Sequence, residues 1–578
     1  MTQTKGADTM KQPGMSRRSF LFGMGSGLAA GAIGASALST PAAVAAETTA
    51  EENPYLTSVF PKDETAYLPV EKFEWTKLEG PIGYEDRQIA ASEITRTDTC
   101  DFVVVGCGIS GLTAMLRAAE YGVKVIGLEK MNRGRNTWES MAANHTKLQA
   151  EAGNSADDAA WAEAMLAAGH WRQRTEVLWS FINNSGEAVD FVDEMIRKAG
   201  KGVQLYNTTQ GPSTYSFIPV VQVEHKVKVP EDAHWNSWWT GAVATDSLLT
   251  TAATYDNLEI RYNTAGVQLI QKDGRVTGII AHDKDGYYAI EAKNGVLLST
   301  GGYEANPGLV QAWLRPEDVN YGNCCIYAPC QGPTGDGHMM GLALGASMDP
   351  IPHVAMMFRS GLPDSVMDSS GVSTVFAGSI WVDHNGRRFT NESLPHNYAA
   401  NAINAHATHG HPVWFIFDKG MVDRSLTRRP DLVEEIDKLK ARNIAVEGAT
   451  IADLAKAMGA DAETLEKTIT TFNSYFDEEE PTDKMFRRNM KNTAPIKDGP
   501  FYAVQHTSKF LCTGSGLTVN ENWQVLDREE KVIPGLYASG NTSGGIFAVD
   551  YPRHLPSTSI GRCVTSGYVA AKHANKGE

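Results

Sequence analysis

The sequence predicts an α/β fold in which a parallel sheet covered by helices is interrupted by an inserted α+β region. Three observations carry that expectation. Residues 100–130 read CDFVVVGCGISGLTAMLRAAEYGVKVIGLEK, where an apolar strand (Phe102–Val105) runs into Gly106, Gly108 and Gly111, an Ala-rich helix, and a second strand ending in Glu129. Far downstream, VIPGLYASGNTSGG (Val532–Gly545) and SIGRCVTSGYVAAKHA (Ser559–Ala574) read as a strand, a turn and a helix. Between them, residues 346–497 change character: strand-like SIWVDHNGRRFT and PVWFIFDKG alternate with amphipathic IADLAKAMG and ETLEKTITTFNSYF.

The first segment is a Rossmann-like βαβ unit built around a dinucleotide. Gly106 permits the tight turn, Gly108 lets backbone approach a pyrophosphate, and Gly111 lets helix pack on strand. Ile109 and Ser110 open a helix whose positive dipole end faces the phosphates. Glu129, eighteen residues past Gly111, can accept both ribose hydroxyls, and Lys130 stands beside it. A chain that binds FAD rather than NAD usually returns to its nucleotide domain at the C-terminal end. This one does: Gly540 and Asn541 form a turn where backbone can meet the ribityl chain and pyrophosphate, and Ser559 and Ile560 open a helix toward the flavin ring. A third strand, GVLLSTGGYEAN (Gly295–Asn306), ends in Thr300, Gly301 and Gly302. Asn136, Thr137, Val267 and Asp336 complete the expected cofactor-binding set. No second GxGxxG is present, which argues against a separate nicotinamide domain.

The expected layout is a twin-arginine signal over residues 1–45, an N-terminal extension over 46–97, an FAD-binding domain begun by 98–345 and completed by 498–578, and a substrate-capping domain over 346–497. The signal rests on SRRSFLFG (Ser16–Gly23), where Arg17 and Arg18 precede a Gly/Ala-rich apolar stretch ending in AAVAAE. That stretch is too rich in small residues for a membrane anchor. A long helical excursion is expected from Asp157 to Lys201.

At 578 residues the chain exceeds one core, and 42% hydrophobic with 21% charged residues is a globular composition. Its formal charge of -16 argues against nucleic acid and against an anionic membrane surface. Removing the first 45 residues, with Lys5, Lys11, Arg17 and Arg18 against Asp8, would make it more acidic still. Seven cysteines leave at least one unpaired, and no CxxCH marks a haem. Cys324, Cys325 and Cys330 match no usual cluster or zinc spacing, and His406, His409 and His411 lack a nearby acidic or thiol partner, so no metal is expected.

Read together, LLSTGG, TGDG (Thr334–Gly337), GRRFTNE (Gly386–Glu392) and PGLYASGN correspond in order to the LATGG, TGDG, GxRFxNE and PGLYAAGE-type blocks of the fumarate reductase/succinate dehydrogenase flavoproteins. The chain resembles that superfamily over about residues 98–575. The resemblance implies FAD as cofactor and an inserted segment that closes substrate against the flavin. Covalent members attach flavin through a histidine where this chain has Asn136, so non-covalent FAD is expected. Arg135 replaces a usual glycine, either as a cation near the cofactor or as half of a surface ion pair.

The departures from that pattern bear on the substrate. Fumarate reductases clamp a dicarboxylate with histidines in an HPT block and an HHTMGG block, where this chain reads VAMMFRS (Val354–Ser360) and KFLCTGSG (Lys509–Gly516). Each lost partner would cost a buried carboxylate about 2–5 kcal/mol. The proton-donating arginine is replaced by a run that offers His396, Asn397 and Tyr398. A larger, more apolar substrate than fumarate is expected. The C-terminal block is similar to the 3-ketosteroid Δ1-dehydrogenase branch, with Tyr551 on that branch's Tyr-Pro tyrosine and Arg553 and His554 where glycines are usual. Tyr551 could instead belong to a turn, and Arg553 could pair with Asp550.

The expected chemistry is hydride delivery to the β-carbon of an activated C=C bond. Tyr551 is the first choice of acid at the α-carbon, with His396 or Tyr398 second, while Arg553 and Tyr551 stabilise enolate charge. The opposite, oxidative direction and a non-catalytic flavin carrier are the competing classes. With no haem or nicotinamide site of its own, the chain needs a separate electron donor, a quinol-linked cytochrome or a small redox carrier.

Overall fold

The computed structural model describes residues 88–577 apart from 133, 135–137, 210–220, 232–239, 320–331, 364–377, 408–410, 492 and 553–554. Arg135, Asn136, Thr137, Arg553, His554, the Cys324–Cys330 group, His409 and the twin-arginine segment lie outside the described residues. In chain order the strands are β1 (Ile94–Val105), β2 (Val125–Leu128), β3 (Ser140–Ala142), β4 (Gln204–Asn207), β5 (Glu224–Lys228), β6 (Leu258–Arg261), β7 (Ala265–Lys272) and β8 (Arg275–Asp283). They continue as β9 (Gly286–Leu298), β10 (Ala355–Gly361), β11 (Ile380–Val382), β12 (Val413–Asp418), β13 (Ala445–Gly448), β14 (Phe501–Thr513), β15 (Gln524–Leu526) and β16 (Val532–Ala538). Five helices position the site: α1 (Ile109–Glu120), α2 (Thr175–Lys198), α3 (Asp336–Ala343), α4 (His396–His406) and α5 (Thr558–Lys576).

The main sheet runs β15-β16-β9-β1-β2-β6, with β8 on the outer half of β9 and β7 on β8. Its central pairs, β16–β9, β9–β1, β1–β2 and β2–β6, are parallel. Parallel strands are covered on both faces, which is why Phe102–Val105 is an unbroken apolar run with no solvent-facing alternation. α1 makes the β1-to-β2 crossover and packs on α5, so the first and last helices share one face. The expected helical excursion divides into Asp158–Ala168 and α2. The break falls where His170 and Trp171 adopt positive φ of 53° and 56°, which a helix does not tolerate.

A second, antiparallel sheet runs β10-β14-β12-β11, with β13 also on β14. It has its own core, in which Trp381 stacks on Phe415 at 4.3 Å and Phe415 on His506 at 3.9 Å. The two expected amphipathic helices form at Ile451–Met458 and Ala462–Ser474, the first behind a Thr450–Asp453 capping box. Beneath them Arg388 bridges Glu392 and Asp483 at 2.7 Å each, all 5% exposed or less. Sequence reading placed residues 498–513 with the completing FAD segment, whereas β14 is the spine of this second sheet. Thirteen extended residues without a turn signal let Phe501–His506 pair with β12 and Thr507–Thr513 with β10. Among the described residues no helix is long and apolar enough to cross a membrane.

Candidate active site

The C-terminal ends of β1, β2 and β9 open onto a cavity of about 470 Å³. Gly106 turns the chain there with φ 105°, and a Cβ on it would lie 2.2 Å from the Ser299 carbonyl oxygen. Gly111 is not on the cavity. It is where α1 crosses the turn, since a Cβ would sit 1.9 Å from the Gly106 carbonyl. Gly108 meets nothing within 4 Å and leaves the α1 N-terminus open to the cavity, beside Ile109 and Ser110.

Glu129, at the end of β2, is 8% exposed. Its Oε2 accepts the Cys107 N–H and its Oε1 the Met131 N–H, both at 2.9 Å. Burial pushes its pKa up, against those two N–H groups and Lys130. Each carboxylate oxygen accepts one N–H and keeps capacity for another donor, the arrangement that two vicinal ribose hydroxyls require. Lys130 donates at 2.7 Å to both Asp336 and Thr334, tying β2 to the turn that opens α3.

The remaining walls converge from distant segments. Thr300 Oγ1 accepts the Gly337 N–H at 3.1 Å, and Thr542 Oγ1 donates to the Gly301 carbonyl at 3.0 Å. Gly540 takes φ 61° and donates to Ser566 Oγ at 3.0 Å, while Ser110 and Ser539 join the first and last segments at 2.8 Å. Gly302, Asn541, Ser559 and Ile560 also line the cavity. Val267 does not; its neighbours Ala265 and Gly266 do. With an open helix N-terminus, a buried ribose-type carboxylate and glycine-lined walls, the residues present fit FAD.

The side of the cavity formed by β10 and β14 is different in chemistry. Met356 faces Cys512 across the two strands, and Phe358 and Leu511 extend the wall. These are the two stretches in which the sequence lacks clamp histidines, now side by side. Tyr551 closes the wall at 4% exposure, with Phe547 edge-on at 5.1 Å, and its hydroxyl accepts the Ser559 N–H at 3.1 Å. The phenol therefore sits on the N-terminus of α5.

His396 and Tyr398 stand one layer back, on α4, and do not line the cavity. His396 packs on Phe358 at 4.8 Å, and burial, with Asp550 adding to it, raises the Tyr398 pKa. Asn397 and Asn401, one turn apart on α4, both donate to Asp550, whose carboxylate also accepts the Tyr551 N–H at 3.0 Å. Asp550 thus anchors the tyrosine segment to α4. His406 stacks on Phe389 and His411 on His384.

Sequence reasoning missed several lining groups. Ser557, the residue before α5, takes φ 65°, and its hydroxyl lies between Ser140 and Glu224, at 2.5 and 3.0 Å. Glu304 accepts the Thr513 hydroxyl at 3.1 Å. Only the Glu304 position, two residues past Gly302, carried a local signal.

The protein-family model described as "FAD binding domain" matches residues 101–553. A vinyl phenol reductase from Lactiplantibacillus plantarum is 27% identical over 519 residues, 83% of this chain and 97% of that one. A 3-oxosteroid 1-dehydrogenase from Mycolicibacterium smegmatis is 29% identical over 54% of this chain and 58% of its own length. A solved open conformation of a flavocytochrome c3 fumarate reductase is 25% identical with TM-score 0.60, covering 84% of this chain and 80% of that one. By its glycine-lined nucleotide cavity and by these matches, the chain belongs to the FAD binding domain family, among the fumarate reductase-type flavoprotein oxidoreductases that act on C=C or CH–CH groups.

Proposed function

We propose that this chain reduces the activated C=C bond of an enone or enoate larger and less acidic than fumarate. One observation carries the reading: where fumarate reductases hold a dicarboxylate, the cavity wall is Met356, Phe358, Leu511 and Cys512, closed by the Tyr551 phenol. The vinyl phenol reductase relative has an uncharged aryl alkene in its name, which supports a substrate larger and less acidic than fumarate. Held by Glu129, the open α1 N-terminus and the Gly540–Asn541 turn, FAD would, once reduced by a separate electron donor, be the source of the hydride for the β-carbon. Tyr551 gives its proton to the α-carbon of the substrate. The Ser559 N–H then donates to the phenolic oxygen and stabilises the charge left on it. His396, behind Phe358, and Tyr398, beside Asp550, are placed to support the wall rather than to touch substrate.

The twin-arginine segment supports export of the folded protein, with electrons from a separate quinol-linked cytochrome or small carrier. Cell fractionation with and without Arg17→Lys/Arg18→Lys tests the address. The oxidative direction has its own support in the Tyr551-Pro552 block and the 3-oxosteroid 1-dehydrogenase relative.

The decisive assay is anaerobic oxidation of reduced methyl viologen by the FAD-loaded chain with fumarate, urocanate, cinnamates, stilbenes and enone steroids. Turnover is expected on a bulky enone or enoate, with Tyr551→Phe slower by about 100-fold or more. Turnover on fumarate would sink the reading, and dye reduction by saturated ketones without alkene reduction would favour the oxidative one.

A further inference from the structure

We propose that Arg562 is a positioning residue for the cofactor: it makes the amide of Asn541 a hydrogen-bond donor toward the cavity, and its fixed charge raises the reduction potential of FAD bound there. This rests on the FAD assignment alone and holds for either direction of the substrate reaction. Arg562 lies on α5, is 0% exposed and does not itself line the cavity. One arm of its guanidinium donates to the Ser543 carbonyl at 2.9 Å, and the other donates to Asn541 Oδ1. The guanidinium carbon stands 5.0 Å from the centre of the Phe547 ring. Arg562 thus holds the Gly540–Thr542 turn from behind, while Gly540 and Asn541 line the cavity in front.

That contact decides which end of the amide is left for the cofactor. A guanidinium only donates, so the atom of Asn541 that meets it is the carbonyl oxygen. The Nδ2 donors remain, with no acceptor among the described residues, on a side chain that lines the cavity. FAD carries acceptors along its whole length, in phosphate, hydroxyl and ring carbonyl oxygens. Loss of Arg562 would remove the bond that fixes this orientation.

The charge acts separately. Among the described residues no carboxylate forms an ion pair with Arg562; Asp349 feels its field, but gives its oxygens to the N–H groups of Gly516 and Gly545. Away from water a fixed cation is weakly screened and acts well beyond its direct contacts. Uptake of two electrons and one proton, the electrons coming from the separate donor, adds one negative charge to the cofactor. A cation one side chain behind the cavity wall therefore favours the reduced form.

Three variants of the FAD-loaded full chain separate the two effects. The midpoint potential is read by anaerobic equilibration with redox dyes, and FAD dissociation by the fluorescence of the released cofactor. Arg562→Lys keeps charge and donor, Arg562→Gln keeps a donor only, and Arg562→Met keeps neither. Arg562→Gln should hold oxidised FAD within about threefold of the wild type, yet lose about tenfold in preference for the reduced form, a midpoint lower by about 30 mV. Arg562→Met should show the same fall and bind oxidised FAD about tenfold or more weakly. Arg562→Lys should stay within about 10 mV of the wild type. A Gln midpoint equal to that of the wild type, a Lys midpoint as low as that of Gln, or FAD held by Arg562→Met as tightly as by the wild type overturns the inference. If the Arg562 variants do not fold, Asn541→Ala decides: it leaves the guanidinium in place and removes the amide, so FAD should dissociate about tenfold more readily. Unweakened binding in that variant overturns the inference as well.

Discussion

Asp349 shows how much chemistry one residue can hold outside the cavity. Its carboxylate sits behind the Gly544–Gly545 turn and accepts N–H groups from Gly545 at 3.0 Å and Gly516 at 3.3 Å. Burial pushes its pKa up to about 7, against those N–H groups and, further off, Arg562 and Arg174. In the unfolded chain the same carboxyl ionises near about 3.9. Between those two values the folded state binds more protons, so the stability Asp349 contributes is fully present at low pH and is lost as pH rises from about 4 to about 7. Between about pH 5 and about pH 7 the wild-type thermal midpoint should therefore fall relative to that of Asp349→Asn, whose own pH slope lacks this contribution. An unchanged slope in the variant would assign it to other groups.

Residues of this kind were legible only where their partners are close in sequence. Gly106, Gly108 and Glu129 announce themselves because turn, helix and strand follow one another within thirty residues. Ser557 and Glu224 did not, since their meeting depends on the N-terminus of α5 coming to rest beside β3 and β5.

At the scale of elements, the second sheet is held by a charged knot as well as an apolar core. Arg388 makes paired contacts to Glu392, a further one to Asp483, and Arg488 reaches Glu392 at 3.2 Å. Glu392 and Asp483 have fully buried side chains. Breaking such a group strands charge away from water, so Arg388→Met should destabilise this region by about 3–5 kcal/mol. Differential scanning calorimetry should show a lowered transition with flavin absorbance retained at room temperature, since the knot lies away from the nucleotide end. The GRRFTNE block, visible in the sequence as a family mark, is thus structural in what it touches here. Which sheet β14 joins was not legible, because an extended run of thirteen residues records no partner. Its antiparallel neighbours β10, β12 and β13 come from three separate stretches of chain.

At the scale of the whole molecule, the cavity is closed by the two ends of the described chain. Gly106–Lys130 and Gly540–Cys563 meet at Ser110 and Ser539 and line the cavity together, and the insertion between them in sequence supplies Met356, Phe358, Leu511 and Cys512. A chain ended at Asp527, before β16, should be purified without flavin absorbance, even though its βαβ unit is intact. Yellow protein from that truncation would place cofactor retention in the first segment alone.

β16 is also the parallel neighbour of the inner half of β9, Val296–Leu298. That neighbour lies more than 230 residues further along the chain. At a synthesis rate of about 5–20 residues per second, a growing chain on the ribosome holds this apolar strand edge open for roughly ten to fifty seconds. An open edge pairs with whatever strand arrives first, so the interval is a hazard for neighbouring nascent chains, and a holding chaperone that covers β9 should raise the yield of flavin-loaded protein.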